Sequence, residues 1–207
     1  MIILSQIIWP IGAYLLGSIP FGLLLARCKD IDLRKHGSGN IGATNAARVM
    51  GKGWGFFTLT ADLAKGLLPV LGCMWVMAGA ANLDFWTACT GISAVLGHCY
   101  SIFSGFRGGK GVATGTGVLL GVCPCAIGVG VVVFVVALKK WGYVSVGSLA
   151  ASVFTPIAMH FFCPAPELEF MAWGTACIIW IRHKDNIKRL MRGEEKGCGK
   201  KSPLPNS

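Results

Sequence analysis

Val112–Leu138 reads VATGTGVLLGVCPCAIGVGVVVFVVAL, 27 residues without an Asp, Glu, Lys or Arg, with Arg107 and Lys110 before it and Lys139 and Lys140 after it. Such a run belongs in hydrocarbon, where about 20 residues at 1.5 Å each cross a core of roughly 30 Å. Both flanks are basic, and basic flanks favour the cytoplasmic side. One helix cannot return to the side it left. Gly121, Pro124, Gly128 and Gly130 surround Cys123-Pro124-Cys125 in the middle of the run, and proline ends or kinks a helix. Two short helices turning near this point are expected. A single long tilted helix is the alternative.

Further apolar blocks lie on either side, at Ile2–Ala26, Trp54–Ala80, Phe85–Phe103, Tyr143–Phe162 and Leu168–Ile181. With 54% hydrophobic residues, 14% charged residues and a mean hydropathy of +0.62, the chain is too apolar for a soluble domain of its size. The expected fold is an all-α polytopic membrane bundle of about seven transmembrane helices in one domain, residues 1–207, with a basic tail at about 182–207. Met1–Trp9 lacks the basic n-region of a signal peptide and is read as the start of the first span.

Charge sets the orientation. Of the 19 Lys and Arg, six fall in Arg27–Gly53, two in Ser104–Lys110, two at Lys139 and Lys140, eight in Arg182–Lys201, and only Lys65 inside a span. Ala81–Asp84 and Cys163–Glu167 have none. The basic segments are therefore expected inside, with the N-terminus out and the C-terminus in. The net charge of +10 gathers at helix ends, which suits anionic lipid head groups rather than nucleic acid. The nine cysteines form no C-x-x-C and no cluster, so they are read as small apolar fillers.

Polar chemistry gathers on the basic side. His36–Arg48, HGSGNIGATNAAR, offers glycines that let backbone N–H groups approach an anion, with Ser, Thr and Asn beside them and Arg48 at the end. A flexible polar loop is the simpler reading. Gly105–Thr114, GFRGGKGVAT, sets a glycine turn and Lys110 at a helix N-terminus, a ready seat for phosphate. It is not a Walker A loop, because Gly111 follows Lys110 and Ser104 stands where the leading glycine belongs. In Arg182–Glu195, His183, Asn186 and Arg189 share a helix face, although a basic tail is also ordinary topology signalling. Asp62 and Lys65, spaced i,i+3 inside a span, form either a structural pair or a substrate contact. His98 is a candidate base or an interfacial hydrogen-bonding residue. Nothing matches H-x-x-x-x-D, G-x-S-x-G or H-E-x-x-H, so covalent Ser catalysis and zinc chemistry are poorly supported. Electrostatic positioning of phosphates fits the residues better.

Six segments in order, GSIPFG (17–22), GSGNIGATN (37–45), DLAKG (62–66), FRGGKGVAT (106–114), YVSVGS (143–148) and HKDNIKRL (183–190), resemble the motifs of the bacterial acyl-phosphate-dependent glycerol-3-phosphate acyltransferases. The resemblance implies acyl transfer from acyl phosphate to the 1-hydroxyl of glycerol 3-phosphate, at the cytoplasmic side of the inner membrane, without a cofactor or metal. It implies a soluble enzyme that supplies the acyl phosphate. By that likeness Lys110, Ser38, His183 and Asn186 are expected to be catalytic. Gly39, Asn40, Thr44, Asn45, Arg48, Gly108, Gly109, Gly111, Thr114, Ser148 and Arg189 are expected to bind substrate, while Asp62, Lys65, His98 and Ser145 are structural or undecided. A transporter of a phosphorylated metabolite is the rival reading, and a lipid-bound scaffold a third. Neither internal repeats nor midplane polar groups support the transporter.

Overall fold

The computed structural model describes residues 2–198, so the end of the basic tail, residues 199–207, lies outside the described residues. All regular structure among them is helical: α1 (Ile2–Ser18), α2 (Phe21–Arg27), α3 (Ala43–Met50), α4 (Lys52–Val76), α5 (Leu83–Cys99), α6 (Val112–Val122), α7 (Pro124–Trp141), α8 (Val144–Phe162), α9 (Pro166–Arg182) and α10 (Lys184–Met191), with a 3-10 turn at Ile102–Ser104.

The molecule is built inside out. Phe56, Phe57, Trp75, Val132, Phe161 and Phe170 are exposed on helix surfaces, whereas Thr58, Asp62, Lys65, Thr90, Thr114 and Ser148 are buried. Lipid is the solvent that makes this arrangement stable, because outward apolar side chains cost nothing there and polar groups must find partners within the bundle. Four segments, Gln6–Arg27, Lys52–Val76, Pro124–Trp141 and Val144–Phe162, are long and apolar enough to cross. At 17 residues each, α5 and α9 stand at the short end of the spanning range.

The break in Val112–Leu138 falls where proline placed it. α6 ends at Val122, Cys123 caps it, and Pro124 opens α7, the first helical position that tolerates a missing N–H. The two halves then take different neighbours, α6 packing on α4 and α7 on α8. The α4–α6 contact is close because Gly117 abuts the Leu63 carbonyl and Gly66 the Thr114 carbonyl, leaving no room for a Cβ.

Three expectations need correction. The first apolar block is not one helix but breaks between Ser18 and Phe21, at Ile19-Pro20. The third stops at Cys99, and the chain turns through Ile102–Ser104. The cysteines are not all fillers. Cys123 and Cys163, 40 positions apart, are joined as a disulfide with a Cα–Cα distance of 6.3 Å. No sequence spacing announces that pair, since the α6–α7 and α8–α9 junctions create it.

Candidate active site

A cavity of about 650 Å³ has a polar head and an apolar arm. The arm runs between α4 (Phe56, Leu59, Leu63), α7 (Ile127, Gly130, Val131, Phe134) and α8 (Ala151, Thr155). Five segments that are distant in sequence build the head.

The first is the loop from His36 to Gly42, with the start of α3. Asn45 on α3 is buried and organises it: the side-chain oxygen accepts from the Ser38 N–H at 2.8 Å, and its amide donates to the carbonyls of Leu33, His36 and Asn40. Its side chain thus ties the loop together at a position that also lines the cavity. Gly39 has φ +73°, is exposed and does not line the cavity. Ser38, Asn40, Thr44 and Arg48 face the cavity, and among the described residues Arg48 has no ion pair.

The second is the glycine turn. The N–H groups of Gly108 and Gly109 donate to the carbonyls of Cys99 and His98. From the other side Arg182 grips the same two residues, Nη2 donating to the Gly108 carbonyl at 2.9 Å and Nε to the Gly109 carbonyl at 3.0 Å. Its guanidinium lies over the Tyr100 ring. Gly108 and Gly109 therefore shape the turn rather than line the cavity, which revises the expectation for both. Gly111 caps α6 with φ +84°, a conformation open to glycine, and leaves the first N–H groups of α6 without helical partners. The N-terminus of α3 also borders the cavity, through Ala43 and Thr44. Two positive helix ends thus serve one head. Thr114 is fully buried and donates to the Asp62 carbonyl at 2.9 Å, an α6–α4 strut and not the expected substrate contact.

Lys110, Asn186, Glu195, Arg189 and Ser145 form one network. Lys110 donates to the Asn186 side-chain oxygen, and Asn186 donates to Glu195. Glu195 also accepts from Ser145 at 2.9 Å and from Arg189 at 2.8 Å. Burial pushes the Lys110 ammonium down to about 8, with Arg189 and Arg48 adding repulsion against the pull of Glu195. Burial raises the Glu195 carboxyl, but hydrogen bonds from Asn186, Arg189 and Ser145 outweigh it and hold the group below its ordinary value. Glu195 was not singled out in the sequence, because it lies past the end of α10 and off its 3.6-residue period. Arg182 was read only as a topology signal.

His183 is buried at the α9–α10 junction, its Nδ1 2.8 Å from the Ile179 carbonyl. A carbonyl only accepts, so Nδ1 carries the hydrogen and Nε2 keeps its lone pair. Burial, then the Lys110 charge, push the imidazole down to about 4, so it is neutral at pH 7. Ser148 lines the cavity while its hydroxyl donates to the Val144 carbonyl.

Asp62 and Lys65 are paired at 2.9 Å, both buried, and Lys65 also donates to the Ile19 carbonyl. His98 Nδ1 stands 3.6 Å from the Asp62 carboxylate, too far for a hydrogen bond. The fold thus puts a carboxylate beside His98 that the sequence left far away. Asp62 and His98 border the cavity and Lys65 does not. Across the whole lining, Arg48, Lys52, Lys110, Arg189 and Lys196 face only Asp62 and Glu195. That balance of charge favours an anion in the head.

Residues 7–193 match the sequence family described as glycerol-3-phosphate acyltransferase. A glycerol-3-phosphate acyltransferase of Desulfotalea psychrophila is 45% identical over 195 residues, 94% of this chain and 98% of the relative. One from Geotalea daltonii is 44% identical over 192 residues, 92% and 96% of the two chains. The crystal structure of PlsY (YgiH), an integral membrane glycerol 3-phosphate acyltransferase, in its glycerol 3-phosphate form superposes with a TM-score of 0.89 at 37% identity, covering 94% of this chain and 96% of that one. Its lysophosphatidic acid form gives 0.86 at 36% identity, covering 93% and 95%.

Proposed function

This chain belongs to the glycerol-3-phosphate acyltransferase family, and from that premise we propose that its acyl donor is an acyl phosphate, with transfer to the 1-hydroxyl of glycerol 3-phosphate yielding lysophosphatidic acid and inorganic phosphate. The observation that carries the reading is the shape and charge of this cavity: an anion-seating head fed by two helix N-termini, continuous with an apolar arm. An acyl phosphate needs both parts, and glycerol 3-phosphate needs only the head.

Ser38, Asn40, Thr44 and the N-terminus of α6 hold the donor phosphate, and its chain lies along Leu59, Val131 and Phe134. Arg48, Lys110, Ser148, His183, Asn186 and Arg189 hold glycerol 3-phosphate. The hydroxyl oxygen attacks the acyl carbonyl carbon, the bond from that carbon to the phosphate oxygen breaks, and inorganic phosphate departs. Helix N–H groups and Lys110 stabilise the charge that develops on it. A mixed anhydride carries its own leaving group, so no enzyme nucleophile is required. His183, neutral and with Nε2 as acceptor, orients the hydroxyl. At about 4 it is too weak a base to be matched to neutral pH, so the proton passes to a substrate phosphate oxygen.

We take residues 1–207 as one catalytic unit of seven spans in the bacterial inner membrane, N-terminus out and C-terminus in. Its head opens to the cytoplasm, where a soluble enzyme supplies acyl phosphate. Kinetics of two variants test the assignment. Arg48→Ala raises the KM for glycerol 3-phosphate by tenfold or more, about 1.4 kcal/mol, while Val131→Trp raises the KM for a long-chain donor. An unchanged glycerol 3-phosphate KM in Arg48→Ala removes Arg48 from that subsite.

A further inference from the structure

Cys123 and Cys163 sit one helix length from the cavity head. Cys123 follows α6, whose N-terminus carries Lys110, and Cys163 follows α8, whose first turn carries Ser145. The 11 residues of α6 and the 19 of α8 correspond to about 16 Å and 28 Å along their axes. The segment Cys163–Glu167 has no Lys or Arg, while Arg107, Lys110, Lys139, Lys140 and Arg182 all lie at the opposite ends of the same helices. Charge therefore assigns the two cysteines to the outer face, where disulfides form and persist.

We propose that the Cys123–Cys163 disulfide is made on the extracytoplasmic face and that it clamps the outer end of the cavity's apolar arm. The bond ties the α6–α7 junction to the end of α8. Ile127, whose N–H donates to the Cys123 carbonyl at 3.3 Å, lines that arm from α7, and Thr155 lines it from α8. With the bridge closed, the two walls cannot part at their outer ends. In the forming reaction two S–H bonds break and one S–S bond forms by way of a mixed disulfide. The two electrons pass to the disulfide of an extracytoplasmic thiol oxidant, which leaves as a dithiol carrying both hydrogens. The second half of the proposal rests on the apolar arm holding the acyl chain.

Differential thiol labelling of the full chain tests the bond without any assay of activity. Cells expressing it are lysed in denaturant with N-ethylmaleimide, then reduced and labelled with the deuterated reagent. Cys28, exposed beside Arg27 and Lys29, is the internal control for the cytoplasmic side. The expected result is light label on Cys28, heavy label on Cys123 and Cys163, and an unreduced linked peptide whose fragments place the bond on Cys123 rather than Cys125. Light label on Cys123 and Cys163 overturns the disulfide, and protection of Cys28 together with them overturns the orientation. The clamp is read from turnover of acyl phosphates of increasing length. The Cys123→Ser/Cys163→Ser double variant is expected to use the longest donors relatively better than the wild type, and reductant is expected to move the wild type to the same profile. Identical profiles overturn the clamp and leave the bond standing. A wild type inactive with every acyl phosphate overturns the functional reading, while the labelling result stays informative.

Discussion

Among the described residues Lys110 has one hydrogen-bond partner, Asn186, and burial pushes its ammonium down to about 8, which makes its charge adjustable in the working range. The cationic form holds phosphate. As pH rises through about 8 that form is lost, so affinity for glycerol 3-phosphate falls above this value, although the ligand, with its second pKa at about 6, is already dianionic. Calorimetric titration across pH 7–9.5 (roughly the span set by a lysine shifted from its usual value near 10.4) is expected to show proton uptake on binding in the upper half. Lys110→Arg, with a guanidinium that stays charged, is expected to flatten the decline. A wild-type affinity constant over the range contradicts this role. Lys110 was legible because a lysine in a glycine turn before an apolar run has a physical meaning of its own. Glu195 was not, since its importance comes from meeting Ser145, Asn186 and Arg189, three contacts that only the folded tail creates.

At the scale of elements, α4 and the glycine turn make separate predictions. Asp62 and Lys65 are almost fully buried on α4. Lys65→Met strands a carboxylate and is expected to cost about 3–5 kcal/mol. Asp62→Leu/Lys65→Met, which removes both charges, is expected to recover most of it. Thermal unfolding in detergent compares them, and equal losses in the two variants would contradict the pairing argument. The turn is fixed by Arg182 holding the Gly108 and Gly109 carbonyls. Arg182→Lys keeps the charge but loses the two-pronged grip, so the donor KM is expected to rise several-fold in Lys and further in Ala, with the unfolding midpoint of Arg182→Lys near that of the wild type. A full rescue by Lys would reduce Arg182 to a source of charge. Breaks between helices were partly readable. Pro124 declared the α6–α7 junction because basic residues on both flanks demanded a turn, whereas Pro20 sat in a block with no such demand and Ile2–Ala26 looked continuous. Pro10, Pro69 and Pro156 lie inside helices without ending them, so proline alone does not decide.

For the whole molecule, composition and charge were enough to read an all-helical membrane bundle with its polar chemistry at the basic end. Hydropathy and the positive-inside bias act over whole segments and survive local errors. The cavity was less legible. Sequence motifs named Ser38, Arg48, Lys110, His183 and Asn186, which the fold brings to one head, but could not separate them from Gly108 and Thr114, which hold that head in shape without lining it, or from Asn45, which lines it while its side chain ties the loop together. The two kinds of residue share motifs, since a phosphate seat and its scaffold are built from the same loops. The Cys123–Cys163 contact was not readable, because each cysteine precedes a proline at a helix break but nothing in their spacing along the chain pairs the two junctions. The central claim is that an acyl phosphate is the donor. The measurement that tests it most directly is phosphate release from palmitoyl phosphate by the purified protein in detergent, with and without glycerol 3-phosphate, and with palmitoyl-CoA as the rival donor. The account predicts release that depends on glycerol 3-phosphate and matches lysophosphatidic acid mole for mole, with no product from palmitoyl-CoA. Product from palmitoyl-CoA and none from palmitoyl phosphate would contradict it.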